Sequence, residues 1–125
     1  MRLLLDTHIY LWLVDDSSRL NLQARQKIEQ AERVYVSSAT IWEIAIKVNL
    51  KKLKVDPDVL IQEIARSGFE ELPVLAKHAK VVAHMPRLHG DPFDRLLVAQ
   101  AVAEGIYLLT ADANLAAYSD LVVKV

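Results

Sequence analysis

Cysteine is absent from this chain, which excludes disulfides, thiolate nucleophiles and Cys-ligated zinc. Glycine and proline are scarce, three and four in 125 residues, and no stretch is linker-like, repetitive or of low complexity. A chain so poor in breakers and 53% hydrophobic belongs with compact, ordered domains. An excess of charge of either sign is also missing. The 15 Lys and Arg against 16 Asp and Glu give a formal charge of −1, which neither implies nor excludes a nucleic-acid partner. Long apolar runs are lacking as well: MRLLLDTHIYLWLVDD is interrupted by Asp6 and His8, carries no cleavage site after it, and nothing else approaches the length that spans a bilayer. The expectation is one domain over residues 1–125, soluble, cytoplasmic and without a membrane partner.

What is present is an alternation of short aliphatic runs with longer segments of helical period, the pattern of a parallel sheet covered by helices. Strands are predicted at 2–6, 34–37, 69–73, 106–110 and 121–125. Helices are predicted at 8–14, 22–32, 39–50, 58–67, 75–84 and 93–104, with a short one at 113–117. Gly68 and Gly105 each follow a helical run and precede a strand, where a left-handed cap is required. In such a sheet the strand C-termini and helix N-termini crowd one edge, and ligands bind there.

Four carboxylates are predicted on that edge. Asp6 ends the first strand, Glu43 lies early in the helix of SSATIWEIAI, Asp94 opens the helix of DPFDRLLVAQA, and Asp112 follows the strand of LLTAD. Each has an ordinary alternative. Asp6 and Asp112 can cap the helices that follow them, Asp94 suits a positively polarised first turn, and Glu43 can pair with Lys47 four residues on. Glu43, however, is surrounded by Ile41, Trp42, Ile44, Ala45 and Ile46, and a carboxylate in such company needs a partner. Gathered together, four carboxylates raise one another's pKa values unless something positive stands between them. With oxygen donors alone, a hard divalent cation, Mg²⁺ or Mn²⁺, is the natural counter-charge, and phosphodiester hydrolysis the reaction class it suggests. In HGDPFDR, Asp91 is the better N-cap, which leaves Asp94 for the ligand role.

The ordered set LLLDTH, SSATIWEIAIK, DPFDRLLVAQA and LLTAD resembles the PIN-domain nucleases, and most closely the VapC toxins of prokaryotic toxin–antitoxin pairs. The resemblance runs from residue 3 to residue 112. It implies a three-layer α/β/α sandwich with a central parallel sheet and a ribonuclease dependent on Mg²⁺ or Mn²⁺. Its products would carry 5′-phosphate and 3′-hydroxyl ends, a cognate antitoxin would inhibit it, and a homodimer is expected. By position, Asp6, Glu43 and Asp94 match the core acids, Asp112 the more variable fourth, and Thr110 a hydroxyl found near the metal site.

Around these acids, Thr7 and Thr110 can orient a carboxylate or bond nearby backbone, and Arg95 can steady a phosphate or lie over apolar neighbours. Lys47, Lys51, Lys52 and Lys54 form either a solvated helix end or a track for RNA phosphates. His8, His78, His84 and His89 lack metal-ligand spacing and receive no catalytic role. Trp12 and Trp42 are expected in the core. Two other classes compete: a PIN-like module that binds RNA or protein without catalysis, and a phosphoacceptor receiver module using Lys124. The intact acid set counts against the first, and the missing paired acids after the first strand against the second.

Overall fold

The computed structural model describes residues 1–87 and 90–125. Five strands, β1 (Arg2–Leu5), β2 (Arg33–Ser37), β3 (Glu70–Leu72), β4 (Tyr107–Thr110) and β5 (Val122–Lys124), form one sheet in the order β3-β2-β1-β4-β5. All four pairings are parallel. The helices are α1 (Thr7–Val14), α2 (Leu22–Gln30), α3 (Ser38–Asn49), α4 (Pro57–Arg66), α5 (Ala76–Ala79) and α6 (Pro92–Glu104). Tight 3₁₀ turns occupy Lys80–His84 and Ala113–Tyr118.

The period-2 alternation of the strands separates two cores. Leu3, Leu5, Val34, Val36 and Leu109 face one side, with Ile9, Tyr10, Ala24, Ile28, Ile44, Leu60 and Ile64 from α1 to α4. Leu4, Leu72 and Leu108 face the other, with Leu97, Val98 and Ala101 of α6. Helices on both faces make the expected three-layer sandwich, and β1, central in the sheet, reads LLL because it is buried on both sides. The two predicted left-handed caps are present, Gly68 at φ +77° and Gly105 at φ +66°.

Two elements depart from the sequence reading. The helix predicted at 75–84 is α-helical only over Ala76–Ala79 and then tightens into the 3₁₀ turn. Adjacent β-branched Val81 and Val82, with Pro86 shortly beyond, explain why it does not continue. The segment after Asp112 is likewise 3₁₀. The strand order also disposes of the receiver reading, since that module runs 2-1-3-4-5.

Candidate active site

In this sheet the order reverses between β1 and β4, and such a switch point opens a crevice at the strand C-termini. Asp6 stands at the end of β1 and Thr110 at the end of β4, and the Thr110 hydroxyl donates to Asp6 Oδ2 at 2.6 Å across the reversal. The second oxygen, Oδ1, accepts the Thr7 N–H at 2.7 Å, so Asp6 caps α1 and lines the crevice at once. Burial pushes the Asp6 carboxyl up from its ordinary range; the Thr110 hydrogen bond, the charge of His8 and the Thr7 N–H pull the other way, and Glu43 adds to the rise.

Glu43 is 6% exposed on the inner face of α3. The Thr7 hydroxyl donates to its Oε1 at 2.8 Å, and Lys47 Nζ meets Oε2 at 2.9 Å. The ion-pair reading of Glu43 is therefore correct, and the same carboxylate still belongs to the buried edge. Thr40 stands 3.2 Å from the Thr7 hydroxyl, completing a hydroxyl pair beneath Glu43. Sequence reasoning missed Thr40; its spacing of three from Glu43 in SSATIWE was the available signal.

Asp94 lies in the first turn of α6 and is half-buried. Its carboxyl is pushed up to about 7, first by burial and then by the negative charges of Asp6, Asp91, Glu43 and Asp112. Asp91 is the N-cap of this helix, accepting from the Phe93 N–H at 2.9 Å and the Asp94 N–H at 3.3 Å. Asp112 caps the following 3₁₀ turn through the Asn114 N–H at 2.9 Å, and its own N–H donates to the Thr110 hydroxyl at 3.0 Å. Thr110 thus connects two of the four acids. Among the described residues no three Asp, Glu or His side chains converge as a ready-made cation cage. Glu43 is instead turned onto Thr7 and Lys47, and Asp112 onto its own helix start.

The neighbours divide. Lys47, Lys52 and Lys54 rim a groove of about 720 Å³ whose apolar wall includes Leu11, Trp12, Leu53 and Val59. Lys51, exposed in the left-handed conformation at φ +58°, is absent from that lining. Arg95 lines a shallow depression with Val82, Arg87, Gly90 and Pro92. Trp12 packs partly against the first core, in ring contact with His8 at 5.9 Å. Trp42 corrects the expectation: it is 61% exposed, because α3 buries Ala39, Thr40, Glu43 and Ile44, and its indole meets the Phe93 ring edge-on at 5.1 Å. This aromatic pair immediately precedes Glu43 on one helix and Asp94 on the other. Of the histidines, His78 is fully buried away from the acids, and His89 lies outside the described residues.

A family model for the PIN domain matches residues 3–121. Ribonuclease VapC22 of Mycobacterium tuberculosis (strain ATCC 25618 / H37Rv) is 31% identical over 114 residues, which are 90% of this chain and 88% of that protein. Among solved structures, VapBC2 from Rickettsia felis bound to a DNA fragment from its promoter is similar in fold, with a TM-score of 0.74 at 18% identity over 99% of this chain and 98% of that one. A toxin–antitoxin complex from Klebsiella pneumoniae aligns with a TM-score of 0.68 at 20% identity over 97% and 95%.

Proposed function

Because the chain belongs to the PIN-domain family, we propose that it is a metal-dependent endoribonuclease and the toxin of a toxin–antitoxin pair. The observation that carries the catalytic reading is the placing of Asp94, whose half-buried carboxyl is raised first by burial and then by the charges of Asp6, Asp91, Glu43 and Asp112. Such a field draws a cation. The donors fit a hard ion in chemistry and charge: carboxylate oxygens with flanking hydroxyls, and no cysteine thiolate anywhere in the chain. Asp6, Glu43, Asp94 and Asp112 would hold Mg²⁺ or Mn²⁺, whose chemistry when bound is Lewis acidity toward a phosphoryl oxygen and acidification of water.

The residues of the chain supply orientation. Thr110 and the Thr7 N–H fix both oxygens of Asp6, while Thr7 and Lys47 fix both oxygens of Glu43. A single threonine therefore bridges the strand-end acid to the helix acid through its N–H and its hydroxyl. The Lys47 ammonium adds one positive charge to the edge, and the lysines beyond it extend that charge along the groove toward RNA phosphates. A module that only bound RNA or protein would have no need of a half-buried acid raised first by burial and then by four neighbouring carboxylates.

The relatives support the partner half of the reading, a cognate antitoxin. No helix of the described residues is long and apolar enough to cross a membrane, which accords with a cytoplasmic site of action. A homodimer is included; Val59, Ile61, Val74 and Leu75 give residues 58–85 exposed apolar surface for it, and light scattering decides the mass. The activity is tested with purified protein on RNA, with and without EDTA and with Asp6→Asn. Cleavage is expected only for the parent chain with Mg²⁺ or Mn²⁺. Cleavage that survives both the chelator and the substitution would remove this mechanism.

A further inference from the structure

Behind the acids lies a polar network that the proposed reaction does not use. Ser37, His78 and Gln100 are each 0% exposed and come from the end of β2, from α5 and from the middle of α6. Their hydrogen bonds can be assigned atom by atom. Ser37 Oγ accepts the Ala39 N–H at 3.0 Å, which caps α3, so the hydroxyl hydrogen goes to Gln100 Oε1 at 2.6 Å. A carbonyl only accepts, so the oxygen of Pro73, 3.4 Å from Gln100 Nε2, faces the amide NH₂. His78 Nδ1 accepts from the Leu75 N–H at 3.0 Å and stands 3.4 Å from Gln100 Nε2. The ring hydrogen is therefore on Nε2, which donates to Glu104 Oε2 at 2.8 Å, where Lys77 also binds.

We propose that Gln100 is a positioning residue for the acid edge: by bonding Ser37 it fixes the register of α6, which carries Asp94, against the start of α3, which carries Glu43. This rests on the ribonuclease reading above. Among the described residues Gln100 and Ser37 bond one another, Ala39, Pro73 and His78 and not the four acids, so they act through the helices. Gln100 follows Asp94 by six residues, about 9 Å along a stiff helix. Glu43 follows Ser37 by six as well. A displacement where the two side chains meet is carried to both carboxylates. The apolar contacts of Leu97 and Ala101 in the second core are non-directional, whereas a buried hydrogen bond is directional and tolerates little displacement. An apolar pair of equal volume would fill the same space at similar stability. It would not set a register, and a misplacement of about 1 Å at a reacting centre costs on the order of 100-fold in rate.

The test compares Ser37→Ala, Ser37→Thr and Gln100→Met with the parent chain, at a temperature where circular dichroism shows each folded. The control is Val34→Ala, which loosens the opposite core without touching this network. Two quantities are read: kcat and KM on a mixed-sequence single-stranded RNA, and the Kd for Mn²⁺ from the electron paramagnetic resonance of the free ion, without RNA. Ser37→Ala and Gln100→Met are expected to lower kcat about 10-fold or more with KM within about 2-fold, and to weaken Mn²⁺ about 5-fold. Ser37→Thr keeps the hydroxyl and is expected to retain both. The proposal is overturned if the first two variants stay within about 2-fold of the parent in kcat and Mn²⁺ affinity, or if Val34→Ala reproduces their losses. Should Gln100→Met not fold, the contrast between Ser37→Ala and Ser37→Thr decides. If the parent binds Mn²⁺ but cleaves no RNA, the ribonuclease reading fails, and the positioning role is then judged on the Mn²⁺ shift alone.

Discussion

Asp94 is raised by burial and by the charges of neighbouring acids, and the sign of its pKa shift sets a testable pH dependence. Raised from 3.8 to about 7, it binds a proton more tightly folded than unfolded. Its protonation therefore favours folding at low pH, and that contribution is lost as pH rises from about 4 through about 7. Asp94→Asn should raise the melting temperature of the cation-free protein at pH 8 and change it little at pH 4, by differential scanning calorimetry, while RNA cleavage disappears. A lower melting temperature at pH 8 would mean that this charge is already neutralised by a partner. Asp91→Ala should cost about 1 kcal/mol in urea unfolding, as for a lost N-cap, and leave cleavage largely intact. Its loss of activity in a fully folded protein would show that the division of roles between the two acids is mistaken. Asp6, Glu43, Asp94 and Asp112 were legible as one edge because alternating strands and helices in a parallel sheet leave acids at those chain positions no other end. Trp42 was not, because Ile41, Trp42, Ile44, Ala45 and Ile46 make α3 apolar nearly all round. Period alone then cannot say which large side chain is left outside, and only the docking of α3 against Thr7 decides it.

At the scale of elements, α6 shows how local signals and tertiary position coincide. Asp91 and Pro92 start it, Gly105 stops it in the left-handed region, and its inner face buries Leu97, Val98, Ala99, Gln100 and Ala101. Nothing lies within 4 Å of a Cβ added at Gly105, so the cost of a side chain there is conformational and not steric. Gly105→Ala should destabilise by about 1–2 kcal/mol, measured by urea unfolding with an unchanged slope. An effect near zero would mean that the α6–β4 turn can relax out of its left-handed conformation. The boundaries of α3, α4 and α6 were readable because each opens on a capping side chain, Ser37, Asp56 and Asp91. The stretch from Ala76 to His84 was not, since its apolar spacing suits α and 3₁₀ geometry alike over so few residues. The Ser37–Gln100–His78 network was hidden for a related reason: its members lie on three elements, and no spacing in sequence connects them.

At the scale of the whole molecule, the acids come from the ends of β1 and β4, the start of α6 and the body of α3, so filling the site should stabilise all four elements together. MgCl₂ or MnCl₂ at 100-fold its Kd should add about 2.7 kcal/mol to the unfolding free energy of the parent chain. The gain should vanish in Asp6→Asn, with EDTA reversing it in the parent; an equal gain in Asp6→Asn would place the cation elsewhere. The hydrogen bond from Thr110 to Asp6 joins side chains 104 positions apart. β1 is made first, yet its partner β4 is among the last strands to be made. During synthesis, then, a ribosome carries a nascent chain whose Asp6 has no Thr110 and whose Glu43 has no Asp94. Only once β4 has been made can Thr110 meet Asp6, so the acid edge is completed late in synthesis, after the strand that begins it has long left the peptidyl-transferase centre.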